Sequence, residues 1–322
     1  MKTKLQNILN LKIFFRIVDQ NSDMIKYTLE KPGLLLIYNI YKNWLRFLNS
    51  KTSKSMTVFN KEKYFQEKNN LKLPAGFLDY KLPDYNRTIL AYHLTKCTPV
   101  DDTKLNFKIV FPKQDFMQYF IQWQRYRKFW WSSITTTPSL FSVNDIKYLD
   151  ELAKVDVIAE YPWGTQAVET LQIIPSGTMA KNSSCLTCAM SLEGTLLYIL
   201  QDALTNQNKE EYLRLHRSLA PYKISFALNY GETNNKKLLY ELAKLLHLRL
   251  KMKNISTWLS DWSLTSELQI KQNLQMGVTY TAILNEQTLE NGIFKLLNSS
   301  TMLKEEVHIS DFDEYATLLF KT

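Results

Sequence analysis

The last hundred residues combine two hydrophobic periods. Ile224, Phe226 and Leu228 alternate with polar or small residues, and this period of two predicts a β-strand. A further strand is predicted from Val278 to Leu284, after a helix that runs from Ser263 to Met276. Between the two strands, leucines at three- and four-residue steps predict another helix: Leu238, Leu239, Leu242, Leu245 and Leu246. Strands that alternate with helices in this way favour a mostly parallel sheet.

The stretch from residue 279 to residue 310 predicts three short strands in a meander. Asn291-Gly292 is typical of a tight turn, because both residue types accept a positive φ. A second turn is predicted at residues 298–301. Ser310 is then a candidate N-cap for a final helix, with Asp313 as its capping-box partner.

The earlier part of the chain predicts long helices. Apolar residues recur at helical spacing from Leu34 to Leu48, and a second helix follows Asp115. One face of that second helix is mostly aromatic and also carries an arginine: Phe116, Tyr119, Phe120, Trp123, Arg127 and Trp130. Residues 50–70 are polar and basic and are interpreted as a loop.

Two segments of the middle region are each interpreted as a strand followed by a helix. In the first, a turn at residues 162–164 ends the strand, and a helix is predicted from Gln166 to Leu171. In the second, a strand over about residues 184–191 precedes a helix that starts near Leu192.

Length and charge both divide the chain in two. A chain of 322 residues is long for one hydrophobic core, so we predict domains at residues 1–217 and 218–322. The chain contains 40 Lys and Arg against 31 Asp and Glu; 11 of each lie after residue 217, which leaves 29 basic and 20 acidic residues before it. A polyanion would therefore meet the first domain, unless its lysines serve only solubility.

Several kinds of site are disfavoured by the residue types present. Only 8 glycines occur, and no phosphate-binding glycine motif is found. Cys185 and Cys188 form a lone CxxC, without the second ligand pair that zinc requires. We therefore expect no metal and no other cofactor, and the absence of a long apolar run predicts no membrane span. Residues 1–20 are interpreted either as a mitochondrial presequence or as a first helix.

The C-terminal pattern resembles a known domain. The sequence from "LAPYKISFAL" to the final helix is similar to the anticodon-binding domain of class II tRNA synthetases, and "TLENG" fits that pattern as well. The resemblance implies an α/β (α+β) protein: a degenerate class II synthetase-like catalytic domain with an antiparallel sheet, followed by an anticodon-binding-like mixed α/β domain. The first 217 residues would form the degenerate domain.

The residues with which such a synthetase binds ATP are missing. No F-R-x-E occurs, and the segment that should read Gly-x-x-x-Arg begins Ser191-Leu192-Glu193-Gly194 and has no arginine. These arginines neutralise phosphate charge in the synthetases, whereas Glu193 would add negative charge beside a phosphate. We therefore expect no adenylation and no catalytic residue.

Four segments, in order, resemble the family of accessory (beta) subunits of mitochondrial DNA polymerase gamma. They are "FMQYFIQWQRYRKFWW", "YPWGTQAVETL", "LAPYKISFAL" and "TLENGIFKLLNSSTMLKEEVHIS", and they span roughly residues 70 to 322. This resemblance implies a non-catalytic protein of the mitochondrial matrix and nucleoid that binds the polymerase catalytic subunit and primer-template double-stranded DNA. It would raise DNA affinity and processivity in mitochondrial DNA replication.

The resemblance also suggests where the partners bind. In that family the C-terminal domain makes the main contact with the catalytic subunit, and the predicted contact residues are Leu289, Glu290, Asn291, Gly292, Ile293 and Phe294. The predicted nucleic-acid-binding residues are Arg125, Arg127 and Lys128, which would contact phosphates without reading bases. A structural role for Gly292 and a merely solvated role for these cations stay open.

Oligomeric state and two other functions are also considered. Residues 50–70 are too few for the helical insertion that builds a homodimer in vertebrate relatives, so we predict a monomer that joins one catalytic chain. The alternative function is a synthetase-like tRNA- or RNA-binding protein without aminoacylation activity. A working glycyl- or prolyl-tRNA synthetase is disfavoured by the missing arginines.

Overall fold

The computed structural model describes residues 8–60, 72–149, 152–161, 164–175, 182–205, 212–230 and 235–321. The chain divides into two compact units. Unit 1 comprises residues 1–11, 15–29 and 40–201, and unit 2 comprises residues 12–14, 30–39 and 202–322. The domain boundary after residue 217 remains a prediction.

Unit 1 is built on two β-sheets. Its strands are β1 (Phe15–Gln20), β2 (Met24–Leu29), β3 (Thr57–Asn60), β4 (Ala75–Asp79), β5 (Leu90–His93), β6 (Thr98–Val100), β7 (Lys104–Pro112), β8 (Phe141–Val143), β9 (Lys147–Leu149), β10 (Leu152–Tyr161), β11 (Gly164–Pro175) and β12 (Ser183–Ser191). The smaller sheet has the order β1-β2-β5-β6 and is antiparallel. The larger has the order β3-β4-β7-β12-β11-β10-β8, with β9 also paired to β10, and only β3 and β4 run parallel.

Three helices belong to unit 1 wholly or for most of their length: α1 (Lys31–Thr52), α2 (Phe116–Ile134) and α3 (Leu192–Thr205). Short 3₁₀ turns lie at Lys113–Asp115 and Pro138–Leu140. Helix α2 buries its aromatic face as the sequence predicts, with the ring of Trp123 5.0 Å from that of Phe107 on β7. The ring of Trp131 stacks on Phe141 of β8. Such large rings supply much of the apolar area that this unit buries.

Unit 2 combines βα units with an antiparallel meander. Its elements are β13 (Ile224–Asn229), α4 (Lys236–Met252), β14 (Thr257–Leu259), α5 (Ser266–Gln275), β15 (Tyr280–Asn285), α6 (Glu286–Asn291), β16 (Ile293–Asn298), β17 (Lys304–His308) and α7 (Phe312–Leu319). The sheet order is β14-β13-β15-β16-β17. Strand β13 runs parallel to β14 and β15, and the remaining pairs are antiparallel. The predicted change from parallel to antiparallel pairing is confirmed.

Some predicted elements are wrong. Residues 166–171 belong to strand β11 rather than to a helix, because β11 pairs along its length with β10 and β12. The pairing overrides a local sequence that is compatible with a helix. Asp311, not Ser310, is the N-cap residue of α7, and no side chain caps that helix. Of the predicted loop at residues 50–70, residues 61–70 lie outside the described residues; Thr57–Asn60 form β3.

The mixed α/β class is confirmed in both units. At the N-terminus, residues 1–7 lie outside the described part of the chain, and Phe15–Gln20 form a strand. None of the helices that the structure describes is long and apolar enough to span a bilayer.

Candidate functional site

Helix α6 contains the first three of the six residues that the sequence predicts to bind a protein partner. The Asn285 side-chain oxygen accepts a hydrogen bond from the Thr288 N–H at 3.0 Å, and the Thr288 hydroxyl accepts one from the Asn285 N–H at 3.1 Å. This reciprocal capping box makes residues 286–291 helical. Asn291-Gly292 is therefore the end of a helix, not the tight hairpin turn that we predicted.

Gly292 is required by its backbone and by its neighbour. It ends α6 with φ +72°, a left-handed conformation that disfavours residues with a Cβ atom. A Cβ atom at this position would lie 2.5 Å from Nε2 of His308 on the paired strand β17. The predicted backbone requirement of Gly292 is confirmed by both observations.

The six predicted partner-binding residues differ in accessibility. Leu289 and Ile293 are more than one-third exposed, and Glu290 and Asn291 are exposed as well. Phe294 is buried, and its ring packs edge-on against Phe312 at 4.8 Å between centroids. Phe294 can therefore hold the segment in place but cannot touch a partner directly.

Helix α4 carries an exposed apolar row, which includes Leu238 and Leu245; the prediction that they share one apolar face with Leu239 and Leu246 is wrong. Leu239, Leu246 and two further residues face the core of unit 2. On the other side of the helix, four large apolar side chains are each more than half exposed: Leu238, Leu245, Leu248 and Met252. Their spacing places them along one line, and we call them the α4 stripe. A row of apolar side chains of this kind is typical of a protein interface.

Lysines border the α4 stripe on one side. Lys237, Lys244 and Lys251 recur every seven residues beside it, and all three are exposed. Glu241 lies within the stripe and forms an ion pair with Lys244 at 3.6 Å. The charge next to the stripe is therefore mainly positive, which favours an acidic partner surface.

The three predicted nucleic-acid-binding residues do not share one environment. Arg125 and Lys128 are exposed on α2, as phosphate contact requires. Arg127 is fully buried, with its Nε 2.7 Å from Oε1 of Glu169, whose Oε2 accepts a hydrogen bond from Trp131 Nε1 at 2.8 Å. Arg127 therefore belongs to the core, and a phosphate cannot reach its guanidinium group in this structure.

Helices α1 and α2 pack side by side in unit 1. Trp130 Nε1 donates a hydrogen bond to Asn43 Oδ1 at 2.9 Å, and Lys51 Nζ lies 5.0 Å from the centre of the Tyr126 ring. A later residue of α1 contacts an earlier residue of α2, so the two helices are antiparallel. Neither helix contains an acidic residue. We call the solvent-facing side of this pair the α1–α2 surface.

The segment from Ser191 to Gly194, where the resemblance implied a synthetase-like ATP motif, makes its hydrogen bonds within the protein. The carboxylate of Glu193 accepts hydrogen bonds from the Thr103 N–H at 2.8 Å, the Thr103 hydroxyl at 2.7 Å and the Tyr85 hydroxyl at 2.6 Å. Burial, and then the Glu193 charge, raise the pKa of Tyr85, so this hydroxyl stays protonated and donates. Glu193 is a structural carboxylate in the core.

Side chains of this chain also interact with the N-terminus of helix α3. The Gly194 N–H donates to the Ser191 hydroxyl oxygen at 2.9 Å, and Glu193 places a negative charge in the first turn. A helix N-terminus attracts anions through free N–H groups and its positive dipole end. In this chain, the Ser191 hydroxyl accepts one of these N–H groups, and the Glu193 carboxylate supplies the negative charge that the dipole attracts.

Comparison with known proteins finds similarity to proteins named as subunits of a DNA polymerase. The chain is 27% identical to the mitochondrial DNA polymerase subunit gamma-2 of Xenopus laevis, over 60% of this chain and 48% of that protein. It is 25% identical to the mitochondrial DNA polymerase subunit gamma-2 of Drosophila melanogaster, over 64% of this chain and 63% of that protein. It is 26% identical to DNA polymerase subunit gamma-2 of Mus musculus, over 63% of this chain and 50% of that protein.

The chain thus spans about half to just under two-thirds of the length of these relatives. No protein-family model matches it.

Two sequence signals would have found the surfaces that we missed. Leucines in α4 occur on two faces of the helix, and the second set repeats at positions 238 and 245 before Met252. In the first part of the chain, no acidic residue occurs from 31 to 60 or from 116 to 144, and this shared composition distinguishes α1 and α2.

Proposed function

We propose that this chain is a non-catalytic accessory subunit of a mitochondrial DNA polymerase. It would bind the polymerase catalytic subunit in the mitochondrial matrix and nucleoid and raise the affinity of the complex for primer-template DNA. The similarity to subunits named DNA polymerase subunit gamma-2 carries this proposal. The enclosed Glu193 carboxylate supports a non-catalytic role, because it occupies the segment where a synthetase would bind ATP.

The proposed arrangement is a degenerate class II synthetase-like domain followed by an anticodon-binding-like domain. The large, mainly antiparallel sheet of unit 1 and the mixed sheet of unit 2 support it. A surface that once bound RNA would here bind a protein. In unit 2 that surface would include Leu289 and Ile293 beside Gly292, together with the α4 stripe, since these are exposed apolar groups.

The duplex would be held through its phosphates. Arg125 and Lys128 supply exposed cations on α2, and no ion pair occupies either of them among the described residues. Each phosphate that a cation neutralises releases counterions, so the bound complex is favoured most at low salt. A DNA contact added to a protein contact raises the local concentration of DNA at the polymerase, and this lengthens each binding event.

Primer extension tests the proposed function. The purified catalytic chain of the cognate mitochondrial polymerase is assayed on a long primed template, with and without this protein, across a salt series. We expect longer products per binding event and activity that persists to higher salt. Unchanged product length at every salt concentration would contradict the proposal, and so would amino-acid-dependent exchange of pyrophosphate into ATP.

Specific tRNA binding without polymerase stimulation would instead indicate the RNA-binding alternative.

A further inference from the structure

An exposed aromatic ring lies in the middle of the α1–α2 surface. The Phe129 side chain on α2 is 60% exposed, whereas the other aromatic residues of α2 are buried or half-buried. Its inner side rests on Phe47 of α1, with 6.4 Å between ring centres and 29° between ring planes. Lys51 Nζ lies 5.8 Å from the centre of the Phe129 ring. Because 60% of the side chain is exposed, part of the ring remains accessible to another flat group.

The cations beside this ring come from both helices. Lys51 of α1 lies over the ring, and Arg125 and Lys128 are exposed on α2. None of the three forms an ion pair with any residue that the structure describes. A surface with several unpaired cations and no carboxylate of its own fits a polyanion.

Polar side chains extend the surface along α2. Gln118, Gln122, Arg125 and Tyr126 line a shallow depression on this helix, together with Met117 and Ile121. The Gln122 amide donates to the Tyr126 hydroxyl at 2.8 Å, which leaves the amide oxygen available as an acceptor. Hydrogen-bonding groups therefore lie on the same helix face as the cations.

We propose that the α1–α2 surface binds single-stranded DNA, with a base stacked on Phe129 and the neighbouring phosphates held by the cations. A duplex keeps its bases stacked on one another, so an exposed ring adds nothing to duplex binding. An unpaired strand offers free base faces, and stacking on an aromatic side chain is the usual second component of single-strand binding sites. This inference rests on the proposed function. It adds the unpaired template strand to the duplex as a second form of DNA that the protein binds.

Fluorescence anisotropy with two labelled probes tests the proposal on the full chain. One probe is an oligothymidylate of roughly 20 nucleotides, and the other is a duplex of about the same length. We expect Phe129→Leu to weaken oligothymidylate binding by about tenfold and duplex binding by less than about twofold, because leucine keeps the apolar contact but cannot stack. Phe129→Trp should restore binding of the single strand.

Two further variants serve as controls. Trp262→Leu removes another partly exposed ring that also has a lysine over it, Lys236 at 5.3 Å, but that lies next to the carboxylate of Asp261. It should leave both affinities unchanged. Arg125→Gln with Lys128→Gln should weaken both probes and lower the single-strand salt slope by about 0.7 for each cation removed. Circular dichroism at increasing temperature checks that every variant is folded.

The proposal is overturned if Phe129→Leu leaves oligothymidylate binding unchanged, weakens both probes equally, or matches Trp262→Leu. It is also overturned if the wild-type chain does not bind oligothymidylate. None of these outcomes touches the proposed function, which depends on primer extension with the catalytic chain.

Discussion

At the scale of single residues, Gly292 illustrates how structure and interaction are coupled. The residue ends α6 in a left-handed conformation, and a Cβ atom there would require the imidazole of His308 to move. The neighbouring Leu289 and Ile293 are exposed. Any substitution of Gly292 therefore changes the local fold before it changes the proposed interface.

We expect Gly292→Ala to lower the free energy of unfolding by about 1–3 kcal/mol, because the left-handed backbone and the His308 contact both oppose a Cβ atom. Urea unfolding measures the loss. Removing the imidazole with His308→Ala should reduce the cost of Gly292→Ala, and an unchanged cost would contradict the contact.

Gly292→Glu should weaken binding to the catalytic chain more than Gly292→Ala does. Equal weakening would assign Gly292 a structural role only.

At the scale of elements, α4 has two apolar faces, of which one is buried and the other is exposed. One face packs into the core of unit 2 through Leu239, Leu246 and their neighbours. The α4 stripe lies on the other side, where it gains no burial from the described part of the chain. An amphipathic helix normally exposes polar side chains on that side, so the stripe favours an interaction with another molecule.

We expect Leu245→Ser combined with Leu248→Ser to weaken association with the catalytic chain by at least about tenfold, because apolar area would no longer be buried on binding. Stability should change little, since both side chains are already exposed. Surface plasmon resonance measures the affinity. Leu268→Ser removes a leucine of similar exposure on α5 and is the matched control. Equal affinities for all three proteins would exclude the α4 stripe from the interface.

The sequence predicts an element well where the spacing of apolar residues within that element is enough to identify it as a helix or a strand. Helix α2 and the βα units of unit 2 follow directly from apolar spacing. Strand β11 does not, because its residues become a strand only through pairing with β10 and β12, and a bulge at Val168 disturbs the alternation. Likewise, periodicity places Arg127 on the aromatic face but cannot show that Glu169, 42 positions later, neutralises it.

At the scale of the whole molecule, the two parts of the chain differ in charge. All of the excess positive charge lies before residue 218, where the α1–α2 surface is found. The surfaces proposed for protein binding lie in the neutral part. DNA contact and protein contact would therefore respond to salt to different degrees.

We expect multi-angle light scattering to give a mass near 37.9 kDa at micromolar concentration. If two copies associated through the α4 stripe, the lysines that border the stripe would come close together. Repulsion between these like charges opposes a dimer of this kind. A mass of about twice this value would contradict the predicted monomer. A mixture with the catalytic chain should then give a complex that contains one copy of each.

The interior position of Glu193 limits what this scaffold can regain. Its carboxylate already receives three hydrogen bonds from Thr103 and Tyr85. An arginine reintroduced downstream would be drawn to that acid rather than to a triphosphate, and deleting the acid would leave its donors unsatisfied. If the proposed synthetase-like origin holds, a return to adenylation would thus require several concerted substitutions around Glu193.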